Sequence, residues 1–203
     1  MSTFLRTPCL WLALVLPSLA STPASAQDTW SFDPAVLAAD TRTLLRRAPD
    51  APVDGLFQAV HGASRVPGDA EVLCALFEPD ADRSLEGLNA AAARLSPASQ
   101  DRLVLATAEV LLAASQSPPR PFDADAARQA LKSNLARAAI LHDGFAEGLV
   151  ADGADAASRE ARCRALGWIL DTLQARPAAE RAQVTRLLLD EGLQRMAMPA
   201  AGG

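Results

Sequence analysis

Few side chains in this sequence can do chemistry, since it has 2 histidines, 3 cysteines and no tyrosine. His142 is the first candidate. Helical spacing puts it on one apolar arc with Ala127, Leu131, Leu135, Ala138, Phe145 and Leu149, where a desolvated imidazole could accept a proton, bind a metal or hold a small apolar ligand. The favoured reading is plainer: a hydrogen-bonded histidine in the core or half-buried at its edge. Asp143 adds no catalytic partner, because sequence neighbours on a helix point about 100° apart. His61 and Ser64 share a predicted loop, but no orienting acid is near them in sequence and no glycine-flanked nucleophile elbow surrounds the serine.

The acids point to caps rather than catalysis. Glu109 is the only charge between Leu103 and Leu112, and burial would raise a carboxyl toward a useful pKa. Its helical neighbours Arg102, Ala106, Ala113 and Gln116 form a small or polar stripe, so a solvated or salt-bridged Glu109 is preferred. Asp80, Asp82, Ser84 and Glu86 have the spacing of a calcium loop, yet Leu85 stands where that loop needs glycine and Ala91 where it needs a bidentate acid. A polar turn capping a helix explains them, as it does Asp123 with Asp125 and Asp152 with Asp155. No residue is assigned as catalytic, and no cofactor or metal is expected.

Cys74 and Cys163 remain once an N-terminal leader is set aside. A pair of cysteines in an oxidising compartment is expected to form a disulfide, here spanning 89 residues. Two cysteines without a neighbouring histidine fall short of four zinc ligands. Trp168 points away from the inward arc of its predicted helix and is the candidate partner-contact residue.

The elements that position these residues are helical throughout. The 3.6-residue periodicity, the repeated cap-and-proline punctuation and the lack of any alternating strand pattern specify an all-α fold. We expect seven or eight helices in an irregular bundle or a short array of helical hairpins. A docked arm with Trp30 and Phe32 precedes a helix from Asp33-Pro34. A short helix follows over Pro52 to Val60, closed by His61 to Ser64, and then a third capped by Asp69, with Val72, Leu73, Leu76 and Phe77 facing inward. A helix from Ser84 meets one from Ser96 to Gln116 at a two-residue turn, which predicts an antiparallel hairpin. The Ser96 helix is apolar on nearly every side and is expected at the centre, surrounded by others. The longest helix should start at Asp123 and run past His142 to Leu149, with helices from Asp155 and Pro177 completing the fold. Gly87, Pro97 and Val104 recur 80 residues on as Gly167, Pro177 and Val184, a faint echo that a duplicated hairpin would leave.

Residues 1–26 read as a signal peptide: Arg6, an apolar run from Cys9 to Leu16, a break at Pro17 and Ala24-Ser25-Ala26 before Gln27. The run is shorter than the roughly 20 residues that span a bilayer. Residues 27–198 are expected to form one all-α domain, with a division near 117–122 as the alternative, and 199–203 a loose tail. The net charge of −5 argues against a nucleic-acid or anionic-membrane surface. Lys132 is the only lysine, so arginine richness reflects a coding bias more than phosphate binding.

The string Leu95-Ser96-Pro97-Ala98-Ser99-Gln100 resembles the Leu-Thr-x-x-Gln signature of small helical periplasmic stress chaperones, non-enzymatic binders of client proteins. Gln100 stands one place later than that signature requires, and the chain is not assigned to the family. The functional expectation is a periplasmic or secreted, non-catalytic protein that binds another protein as an adaptor, inhibitor or chaperone. The alternatives are a bundle holding a small apolar ligand or metal near His142, and an enzyme using isolated carboxylates such as Glu109.

Overall fold

Nine α-helices and no strand make up residues 34–197, the part of the chain that the computed structural model describes. They are α1 (Pro34–Leu45), α2 (Asp50–Ser64), α3 (Pro67–Ala75), α4 (Leu85–Arg94), α5 (Pro97–Gln116), α6 (Ala124–Leu141), α7 (Phe145–Val150), α8 (Ala156–Gln174) and α9 (Ala178–Ala197). The all-α expectation holds. The signal peptide, the arm with Trp30 and Phe32 and the tail from 199 lie outside the described residues.

Capping chemistry starts several of these helices where the sequence says it should. The Ser84 hydroxyl accepts from the Gly87 amide at 3.1 Å, Asp123 accepts from the amides of Asp125 and Ala126, and Asp155 accepts from Ser158. Asp69 is different. The chain enters α3 at Pro67, and Asp69, inside the first turn, is buried and accepts from the Ser96 amide at 2.6 Å and the Ser96 hydroxyl at 2.7 Å. It latches α3 to the α4–α5 turn instead of capping its own helix.

That latch alters the expected hairpin. Leu95 and Ser96 are both extended, with ψ of 158° and 149°, so the chain turns away rather than doubling back. α4 packs on α3 and shares no extended face with α5. Likewise α8 and α9, the other half of the 80-residue echo, share no extended face and meet only locally, as where Leu173 and Val184 join one cluster.

The centre is α2, not α5. It packs against α5, α9, α3 and α8, and buries Pro52, Val53, Phe57, Ala59 and Ala63. The helix is longer than expected, because His61 to Ser64 continue it rather than close it. Three apolar clusters run through the fold. Val53 meets Ala48, Val110, Ala114 and Ala182; Phe57 meets Leu173 and Val184; Ala138 meets Phe145 and Ala165. Alanine fills many of these positions, which lets helix axes come as close as about 8 Å.

Arginine side chains tie the first two helices to α9, from either side. Arg181 grips Asp54 through two bonds of 2.6 and 2.8 Å, and Arg42 grips Asp190 at 2.7 and 3.2 Å. Arg186 is buried and donates to the carbonyls of Leu45 and Ala48 and to Asp50. It thereby satisfies carbonyls at the end of α1 that the helix itself leaves unpaired.

α5 exposes most of what was expected to be core. Val110, Ala114 and Ser99 are buried, while Val104, Leu105, Leu111 and Leu112 are 66%, 69%, 43% and 62% exposed. Phe77 is also exposed, because α3 ends at Ala75 before it can turn that ring inward.

Phe57, 3% exposed, fills the middle cluster, so Phe57→Ala should cost about 3–5 kcal/mol of stability. Leu112→Ala should change it by no more than about 0.5 kcal/mol; urea unfolding of the two variants checks both. Acid should also destabilise the fold. The Ser99 and Ser96 hydroxyls and the Ser96 amide lower the pKa of Asp69, and Asp82, Asp155 and Asp190 are lowered by Ser84, Ser158 and Arg42. Groups with depressed folded values stabilise fully above the unfolded carboxylate pKa of about 3.9 and lose that contribution as pH falls through the folded values. The melting temperature should therefore be flat between about pH 5 and 7 and drop below about pH 4, less steeply in Asp69→Asn.

Candidate functional site

His142 is not on a continuous helix. α6 ends at Leu141, His142 is extended with φ −133° and ψ 111°, and Gly144 adopts φ +81°, a left-handed value that favours glycine. The expected long helix is therefore two. The break turns α7 onto α8 and drives Phe145 into the Ala138–Ala165 cluster. Gly148 completes that contact, because a Cβ there would collide with the backbone carbonyl of Ala161.

The break also delivers His142 to Trp168. Their rings stack in parallel, 4.8 Å between centroids with 4° between planes, and both are half-buried. Trp168 packs with Leu135 and Ile169 against the Ala138–Phe145–Ala165 cluster. It does not stand free on the surface as an anchor, because α8 has neighbours on more than the one arc that its sequence advertises. Two separate sequence candidates thus become one aromatic pair linking the α6–α7 break to α8. Among the described residues, no group of three or more His, Cys, Asp or Glu is placed to hold a metal.

His61 gains a partner the sequence did not reveal. Its Nε2 lies 2.9 Å from Asp171 Oδ1, and Arg65 Nη1 is 3.0 Å from Asp171 Oδ2. Asp171 is 110 residues away on α8, and nothing local marked it. The Ser64 hydroxyl donates to the His61 carbonyl at 2.8 Å rather than to the imidazole. Phe57 stacks on the same imidazole, 5.9 Å between centroids and 16° between planes. The group is an interhelical clamp between α2 and α8, without the serine-to-imidazole bond that nucleophilic catalysis needs.

The other candidates take capping or bracing roles. Asp82 accepts from the Ser84 amide at 2.9 Å at the start of α4, and Glu109 is exposed on α5. Gln100, the residue that carries the chaperone-like string, donates to the carbonyls of Ala93 and Leu95 and braces the α4–α5 turn. Cys74 and Cys163 are bridged with Cα atoms 5.3 Å apart, joining the end of α3 to α8. An ion pair between Arg162 and Glu78 lies beside the bridge.

Two surface recesses accompany these features, one between α3 and α4 and one where the α5–α6 connection crosses the α1–α2 turn and α9. Neither includes His142 or Trp168. The most conspicuous surface feature is apolar. Val104, Leu105, Ala108, Leu111 and Leu112 share one arc of α5, two large pairs on either side of a small centre. The sequence predicts a central α5 surrounded by other helices, whereas this arc is left uncovered.

Compared with known proteins, the chain matches no protein-family model, no curated protein and no solved structure. Its function is therefore argued from its own surfaces.

Removing the imidazole tests the aromatic pair. His142→Ala should shift the emission of Trp168 and cost about 0.5–1.5 kcal/mol of stability, whereas Asp143→Ala should leave both unchanged. Fluorescence and urea unfolding of the two variants check this.

Proposed function

We propose that this chain is an exported, non-catalytic helical protein that binds another protein through the apolar face of α5. The carrying observation is the stripe of Val104, Leu105, Leu111 and Leu112, all exposed on one arc. Monomeric soluble proteins seldom leave such a patch uncovered unless something binds there.

Its spacing describes the partner. Positions i, i+1, i+4, i+7 and i+8 over about 12 Å of helix are the face one amphipathic helix offers another. Ala108 at the centre leaves a shallow seat, so the matching element is a helix with large apolar residues flanking its crossing point. Completing the burial of four such side chains is worth roughly 4–7 kcal/mol. That is comparable to the entropy lost on association. The stripe alone gives a weak complex, and polar neighbours such as Arg102, Glu109 and Gln116 would have to contribute.

Export is supported by the leader-like residues 1–26, by the Cys74–Cys163 bridge and by the fact that no described helix is long and apolar enough to cross a membrane. Disulfides persist in oxidising compartments such as a periplasm or the extracellular space. The alternative of a small apolar ligand or metal at His142 gains little, because the imidazole is covered by Trp168 instead of facing a recess.

Capture of partners from an envelope fraction tests the reading. Native protein and Trp168→Ala should both recover one specific partner, and a Leu105→Glu/Leu112→Glu variant with unchanged circular dichroism should lose it at least ten-fold. Equal recovery by the charged variant, or no specific partner for the native protein, refutes the proposal. A dimer that the charged substitutions dissolve would assign the face to a second copy of this chain.

A further inference from the structure

The recess at the α5–α6 connection has a different chemistry from the apolar face and stands independently of it. It is lined by Arg46, Arg120 and Arg186, with Asp50, Phe122 and Asp123 among its other residues. The backbone assembles this group. The Arg120 amide donates to the Arg46 carbonyl at 3.0 Å, and Arg47 Nε donates to the Ser117 carbonyl at 2.7 Å. Pro118 and Pro119 stiffen the connection between those bonds, and Pro121 follows it. Arg120 is thus carried to the side of Arg46 by contacts that involve neither guanidinium.

The acids in the recess are already committed. Asp50 Oδ1 accepts from Arg186 Nη1 at 3.1 Å, and Asp123 Oδ1 accepts from the amides of Asp125 and Ala126. Asp123 therefore already uses the start of α6, which adds little for an incoming anion. Arg186 is 6% exposed and spends its other donors on the Leu45 and Ala48 carbonyls. Its guanidinium lies 6.0 Å from the centre of the Phe122 ring, giving the recess a fixed floor. Arg46 and Arg120 are exposed, and neither guanidinium has a hydrogen bond or ion pair among the described residues. Arg46 acts on Asp190 only through space.

Two uncommitted guanidiniums beside a third, in a chain of net charge −5, make a local excess of positive charge. Holding like charges together costs energy that an anion between them returns. A guanidinium presents paired N–H donors that match the oxygens of a phosphate or carboxylate. We propose that this recess is an oxyanion site, taking a small phosphate or polycarboxylate between Arg46 and Arg120 above the Arg186–Phe122 floor. Arg186 supplies field and shape there, and the two exposed arginines supply the hydrogen bonds.

Calorimetric titration of the full chain with sodium phosphate and with sodium citrate, each matched for ionic strength with sodium chloride, tests the site. The native protein and an Arg137→Gln control, which removes an exposed arginine elsewhere, should bind at least one of the two anions saturably. Arg46→Gln/Arg120→Gln should bind it at least ten-fold more weakly while keeping its melting temperature in sodium chloride. Tighter binding of phosphate assigns the site to phosphorylated ligands, and tighter binding of citrate assigns it to polycarboxylates. No saturable binding to the native protein at millimolar anion, or equal binding by the double variant, overturns the proposal. Each single arginine variant separates loss of the site from a fold defect, since each should weaken binding without changing the circular dichroism.

Discussion

The burial of α2 against both α5 and α9 is the constraint on which the remaining architecture depends. Its buried residues are spread over nearly half of its circumference, so the helix cannot be satisfied by one neighbour. Val53 is enclosed by Ala48, Val110, Ala114 and Ala182, drawn from the α1–α2 turn, α5 and α9. Small residues at those positions permit close approach, and close approach brings Asp54 within reach of Arg181 and the end of α1 within reach of Arg186. The arginine bonds are consequences of the packing as well as supports for it. Truncating either partner of such a pair would strand a desolvated charge.

With α2 fixed, the second half of the chain has limited choices. α8 reaches α2 through the His61–Asp171 pair and α3 through the Cys74–Cys163 bridge. In the chain-entropy account, closing that 89-residue loop stabilises the fold by up to about 4.6 kcal/mol. α6 and α7 then close over α8, and the break at His142 to Gly144 lets one segment serve two directions. A straight helix through His142 would keep Phe145 on α6's axis and away from Ala165. The left-handed Gly144 gives up three residues of helix and gains a filled cluster.

Much of this was readable from residue order because helix starts are written locally. Ser84, Asp123 and Asp155 announce themselves by type and position, and the side-chain bonds they make lie within three residues. The cysteine pair was readable because only one pairing exists. Apart from that bridge, what is decided across the chain was not readable. α5 looks central because its apolar residues point almost everywhere, yet hydrophobicity alone cannot say whether a face meets another helix of the same chain. Asp171 and Asp69 were invisible in their true roles, since their partners are 110 and 27 residues away. Gly144 carries a local signal for the break: its left-handed φ of +81° falls between α6 and α7, where the apolar spacing alone suggests one continuous helix.

The exposed face of α5 follows from the same nonlocal logic. A two-residue connection ordinarily folds one helix back along the next, and α4 would then have supplied α5 with a cover. Asp69 prevents it by holding the Ser96 amide and hydroxyl, while Gln100 grips the carbonyls of Ala93 and Leu95 and buried Leu95 anchors the turn. α4 is thereby kept on α3, with none of its own residues buried. Four bonds and one leucine therefore maintain an arrangement in which two apolar surfaces stay apart. Such an arrangement gains nothing for the isolated chain, because burying Val104, Leu105 and Leu112 under α4 would be favourable. Under the proposed reading, its advantage would lie in keeping α5 open for a partner.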